Sequence, residues 1–165
     1  MKNSTDITTL IEQIEKCTGI LHTIQSQLAD MRKNVIPKLG NSIATPILFA
    51  DVFVSMYTCC ETAFVRISKF FENNLDSSRW HKELLDRMTL EIPAIRPRVL
   101  ADETALALEE FLRFRHFKRY YFEFKYDAKR IAYLDSRFDE TVESVIGELG
   151  SYTAKLRELG RKVDE

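Results

Sequence analysis

Residues 7–31, ITTLIEQIEKCTGILHTIQSQLADM, decide the fold class. Ile7, Leu10, Ile14, Cys17, Leu21, Ile24, Leu28 and Met31 recur at alternating spacings of three and four. On a backbone with about 3.6 residues per turn that spacing draws one apolar seam along a long helix. Such a seam serves a bundle core or a partner helix, and within one domain the bundle is the favoured use. Thr5 or Asp6 is placed to cap this helix, and Pro37 with Gly40 to end it, which predicts a helix over about residues 5–36.

Working outward, a second helix is predicted from Pro46 to about Asn73. It is apolar nearly all round (Ile47, Leu48, Phe49, Val52, Phe53, Val54, Met56, Val65, Ile67, Phe70, Phe71), as a central buried helix should be. Glu61 and Arg66 interrupt it, either as satisfied surface or interface charges or as members of a site. The stretch Asn73-Asn74-Leu75-Asp76-Ser77-Ser78 reads as a turn and helix cap, followed by a short amphipathic helix from Arg79 to about Leu90. Pro93 and Pro97 make 91–100 an ordered loop. A fourth helix is predicted from near Asp102 through Phe111 to about Tyr121. Asp127 caps the last one, about 128–163, whose stripe is Val145, Leu149, Tyr152, Leu156, Leu159 and Val163. No strand-like alternation of useful length occurs. The expected fold is all-α: one domain over 1–165, an up-and-down helical bundle of about five helices.

Bulk composition narrows the function. With 165 residues, 45% hydrophobic and 30% charged, the chain has the make-up of a folded protein, and only 5 Gly and 4 Pro leave room for long elements. A net charge of -1 excludes a global polycation, so any nucleic-acid binding must come from a local patch. Three cysteines, two of them the neighbours Cys59-Cys60 in an apolar run, read as small buried hydrophobes in a reducing cytosol. His22, His81 and His116 lie too far apart for metal-ligand spacing, and no Gly-rich phosphate loop or cofactor motif is present; no metal and no cofactor is expected. The N-terminus lacks an apolar signal-type segment and no run approaches about 18 apolar residues, so the expectation is a cytoplasmic protein that does not enter a membrane.

One patch stands out. From Arg113 to Tyr121 the chain reads RFRHFKRYY, with no carboxylate between 113 and 122. Arg115 and Arg119 share a helix face, and His116 lies three residues from Arg119 and four from Tyr120. Phe111, Phe114, Phe117 and Tyr121 fall on another face at core spacing, where packing is their expected use. Arg115, His116, Arg119 and Tyr120 form the candidate catalytic set, with Arg113 and Lys118 as candidate substrate-binding charges. Such arginines bind an anion or pair with acids from another helix or chain, and spacing alone favours neither. His22 is expected to be solvated, and His81 to have a packing or capping role.

The block from Trp80-His81-Lys82-Glu83-Leu84-Leu85-Asp86-Arg87-Met88 through Ile92-Pro93-Ala94-Ile95-Arg96-Pro97 to Val99-Leu100, followed by Phe114-Arg115-His116-Phe117-Lys118-Arg119 and then Asp127 and Arg130, resembles the HepT-like branch of the HEPN superfamily. The likeness covers roughly residues 45–150. It implies a helical bundle that dimerises, belongs to a prokaryotic toxin–antitoxin pair, and in active members cleaves RNA without a metal. The family motif is an arginine, four to six residues, then a histidine. It also implies a minimal nucleotidyltransferase partner, which attaches AMP to a tyrosine two residues after that histidine. Carried over, the motif arginine is Arg115, the motif histidine falls on Tyr120 and the modifiable tyrosine on Phe122, so that Tyr120 or Tyr121 would have to take the modification. Three readings follow from the resemblance and its departures. One is a ribonuclease or its weakened RNA-binding derivative; another is a non-catalytic dimer that binds and regulates the nucleotidyltransferase; the third is a plain helical interaction module whose arginines make structural ion pairs.

Overall fold

In the computed structural model, which describes residues 4–72, 80–93 and 95–163, five principal helices account for most of the described residues. These are α1 (Ser4–Asp30), α2 (Ala44–Phe71), α3 (Trp80–Met88), α4 (Asp102–Tyr120) and α5 (Ala128–Val163). The expected all-α bundle is what the chain forms. The expected turn and cap at 73–78, and Arg79, lie outside the described residues.

Ile7, Leu10, Ile14, Cys17, Leu21 and Leu28 of the seam are buried. α1 runs antiparallel to α5, since Gln25 donates to Asp139 and Glu143 near one end, while Arg157 pairs with Glu15 towards the other. It is antiparallel to α2 as well, with Cys59 against Cys17 and Arg66 against Gln13. Helix α1 begins by Ser4, so Thr5 and Asp6 sit inside its first turn. There Asp6 opposes the positive end of the helix dipole.

Pro37 does not end this first helical segment. After Asp30 the backbone widens into a π-helical turn, Met31–Val35, closed by Ile36 N–H donating to the Met31 carbonyl. A last α-turn, Ile36–Leu39, follows, with Pro37 at its start. Proline lacks an N–H and its ring clashes with the carbonyl four residues back, and the wider turn relieves both defects. The terminator is Gly40, whose φ of 55° suits a residue without Cβ. Arg32, on the widened turn, is held by Asp135 and Asp139 of α5 at 2.6 Å each.

α2 is the central helix. By length and composition alone it would suffice to cross a membrane, but here α1, α4 and α5 pack around it. Phe53 is fully buried, with the rings of Phe49, Phe111, Phe114 and Phe138 at 5.6–5.9 Å. In α5, Ile131, Leu134, Phe138, Val142, Val145, Leu149, Tyr152 and Leu156 face the core. Leu159, expected in the stripe, is exposed. Asp127 caps α5 as expected, its Oδ1 accepting from Lys129 N–H at 3.0 Å.

The loop after α3 sets where that short helix sits. Its amides at Val99 and Leu100 both return to the Met88 carbonyl. Arg96 lies buried beneath it and donates to Glu72 Oε1 (2.6 Å) and to the carbonyls of Arg87 (2.7 Å) and Leu90 (3.0 Å). Glu72, just past the end of α2, also takes Arg87 of α3 at 3.0 Å. One carboxylate thereby locks the ends of α2 and α3 together, which fixes the start of α3 against the middle of α2.

Candidate functional site

That lock brings four ionisable side chains from three helices to one place. Glu61, in the middle of α2, is only 6% exposed. A carboxylate so deep needs partners for both oxygens. Arg115 of α4 donates through Nη1 to Oε2 at 2.6 Å, and His81 of α3 faces Oε1 through Nδ1 at 2.5 Å. The guanidinium also lies over the Tyr57 ring, 5.2 Å from its centroid. The fourth member, His116, meets His81 edge to face, with ring centroids 5.3 Å apart at 77°.

The short contact settles the tautomer of His81. A carboxylate only accepts, so Nδ1 carries the hydrogen and gives it to Glu61. The approach of Arg115 Nη2 to the same Nδ1, at 3.2 Å, is then a meeting of two donors around one shared acceptor. Glu61 thereby orients the imidazole and leaves Nε2 as its other ring nitrogen. Burial lowers the His116 pKa first, the neighbouring His81 and Arg115 add to that, and Glu61 opposes it. Burial beside Glu61 likewise raises the Tyr57 phenol, which stays neutral.

The remaining basic residues of α4 divide clearly. Arg113 pairs with Glu109 (2.8 Å) and Glu110 (3.4 Å) on its own helix. Lys82 of α3 also reaches Glu109, at 3.2 Å, and together with Arg113 holds that carboxyl below its usual value despite burial. Lys118 is 3.5 Å from Asp51 of α2. The carboxylates absent from 113–122 therefore arrive from elsewhere, one turn back or from α2. Arg119 is exposed, and among the described residues it enters no ion pair; its guanidinium lies 5.8 Å from the Tyr120 ring centroid.

The two tyrosines differ. Tyr121 stacks on Phe117 (4.7 Å, 25°) and donates its hydroxyl to the Lys125 carbonyl at 2.8 Å. Tyr120 is 71% exposed. Phe122 is exposed as well. Of the residues expected to act together, Arg115 and His116 both join the cluster, each against His81. Arg119 and Tyr120 lie at the exposed C-terminal end of α4, and Arg113 and Lys118 are engaged on its flanks.

His81 and Tyr57 are the members that sequence reasoning missed. Glu61 carried a visible signal, as an acid interrupting an apolar helix; His81, 34 residues before Arg115 in the chain, carried none. Arg66, also in α2, is an interface group that donates to the Gln13 carbonyl at 3.2 Å and approaches Cys17 Sγ at 3.6 Å. All three cysteines are free thiols, with Cys17 and Cys60 buried and Cys59 half-buried. Among the described residues, no group of three or more His, Cys, Asp or Glu side chains is arranged to hold a metal ion.

An open, mostly apolar depression of about 650 Å³ lies between the 40–46 turn and residues 124–135. None of Glu61, His81, Arg115 and His116 lines it.

Among known proteins, a family model described as HepT-like protein matches residues 48–156, well over half of the chain and all four members of the cluster. No curated protein and no solved structure matches.

Proposed function

The chain belongs to the HepT-like protein family, and on that premise we propose that it is the RNA-directed component of a prokaryotic toxin–antitoxin pair. In this reading it cleaves RNA without a metal, and Arg115 holds the scissile phosphate. The observation that carries this is the position of Arg115. It stands where the family motif has its arginine, it is oriented by a buried carboxylate, and the His81 imidazole borders it with His116 behind. A guanidinium matches a phosphate in shape and charge and stabilises the extra negative charge of a phosphoryl transition state. Arg119, one turn on and without an ion-pair partner among the described residues, extends the positive surface along the backbone of a bound strand. The protein acts as a homodimer in the cytoplasm, beside a minimal nucleotidyltransferase that restrains it.

The test is cleavage of a labelled single-stranded RNA by the purified full-length protein in the presence of EDTA. Cleavage should survive the chelator and vanish in Arg115→Ala. Intact RNA, together with normal growth of cells expressing the protein alone, would defeat the ribonuclease reading.

One observation favours a second reading, a non-catalytic dimer that regulates the nucleotidyltransferase. Tyr120 stands at the motif histidine position and is exposed, while Phe122 offers no hydroxyl at the position of the modifiable tyrosine. Transfer of AMP from the partner enzyme to Tyr120, without RNA cleavage by the unmodified protein, would support it.

A further inference from the structure

We propose that His81 and His116 form an acid–base pair for RNA strand cleavage, so that a single protomer supplies the proton transfers for which Tyr120, with its phenol, is unsuited. The inference rests on the RNA-directed reading above and goes past it by assigning chemistry to a histidine outside the basic helix. Three features of the site carry it.

The first is convergence. His81 comes from α3 and His116 from α4, yet their rings are in edge-to-face contact, and His81 borders the Arg115 guanidinium, whose charge also acts on His116. The second is orientation. Glu61 takes the Nδ1 hydrogen of His81, which fixes the ring and assigns Nε2 to proton exchange. The third is asymmetry. His81 has a carboxylate against it, whereas His116 feels burial, His81 and Arg115, with Arg119 adding from its own helix, and its pKa is lowered. Two adjoining imidazoles resist carrying two charges, and environments that differ this way separate an acid from a base.

The reaction follows from those roles. Neutral His116 takes the proton of a ribose 2′-hydroxyl as its oxygen attacks the adjacent phosphorus. The new 2′-O–P bond forms while the P–O5′ bond breaks, and the imidazolium form of His81 gives its Nε2 proton to the departing 5′-oxygen. The products are a 2′,3′-cyclic phosphate and a 5′-hydroxyl end. No oxidant, metal or cofactor enters the balance. The substrate class is therefore RNA with an intact 2′-hydroxyl at the cut, and a 2′-deoxy substitution there should block the reaction. Glu61 is a positioning residue, since it acts through His81.

The decisive variant is His81→Asn. Its side-chain amide can still donate to Glu61 in place of Nδ1–H, preserving the buried contact while removing the nitrogen that moves the proton. His116→Gln is assayed beside it, both as full-length protein with a labelled RNA in EDTA. Cleavage should fall by about 10²- to 10⁴-fold in each histidine variant, with RNA binding and the melting temperature kept near those of the parent. The acid limb of the pH–rate profile should flatten in His116→Gln. Glu61→Gln should shift a limb of that profile, which loss of a structural ion pair would not do. Cleavage that survives both histidine changes but is lost in Arg115→Ala overturns the acid–base pair and leaves the RNA-directed reading standing. A parent protein that leaves RNA intact overturns both.

Discussion

Removing Arg115 should cost stability as well as any RNA chemistry, and the size of that cost follows from Glu61. The carboxylate is 6% exposed and its Oε2 accepts from Arg115 Nη1 at 2.6 Å. Breaking a buried pair by deleting one partner costs about 3–5 kcal/mol, because the remaining charge stays in a poor solvent. His81 still faces the other oxygen, which places Arg115→Ala at the lower end, about 3 kcal/mol. For a domain of this size each kcal/mol lowers Tm by about 2–4 °C, so the variant should melt about 6–12 °C below the parent. The assay is thermal unfolding by circular dichroism at pH 7.5, repeated in high salt. Salt should leave the difference largely intact, since a pair so little exposed is poorly screened. Replacing both partners, Glu61→Leu with Arg115→Met, should recover most of the loss, because no charge is left uncompensated. A single variant melting within about 2 °C of the parent, or a double variant worse than either single one, would refute the assignment of a buried ion pair.

Other outcomes follow from the same geometry. The folded-state pKa of His116 lies below its ordinary value of about 6.5, so the unfolded chain takes up its proton first as pH falls. The stability share of His116 is thus fully present above that value and shrinks below it until the folded-state pKa is reached. With His81, Glu61, Arg115 and Arg119 left in place, His116→Gln should show a shallower loss of stability between pH 7 and 5 in urea titrations; matching slopes would contradict the shift. Phe53→Ala removes a fully buried ring touching four others and should cost about 3–5 kcal/mol in chemical denaturation, far more than any change at exposed Phe122. Arg119→Ser should leave Tm unchanged yet weaken RNA binding and reduce the log–log salt slope by roughly 0.7–0.9; an unchanged slope would remove Arg119 from the RNA surface.

How much was legible in advance varies along the molecule. Helical periodicity is a local property, so the seam from Ile7 to Leu28, the apolar α2, the cap at Asp127 and the stop at Gly40 could all be read one helix at a time. The π-turn at Met31–Val35 could not, because a proline in a helical pattern can break, kink or widen it, and the grip of Asp135 and Asp139 on Arg32 accompanies the third outcome. Arg115 was visible as part of a basic cluster, but its counter-ion was not.

By itself the sequence determined the all-α bundle and the central helix and displayed Arg115 within a basic cluster, since each rests on residues within a few turns of one another. Only the tertiary structure decided what Arg115 meets. Glu61 lies 54 positions before it and His81 34, and Glu61 and His81 are 20 positions apart. Their meeting depends on where α3 is pinned, and that is set by Arg96 and Glu72 beneath the proline loop. No period or spacing in one helix encodes a contact made by three. Packing converts an arginine beside a histidine into a four-membered site held on a buried carboxylate.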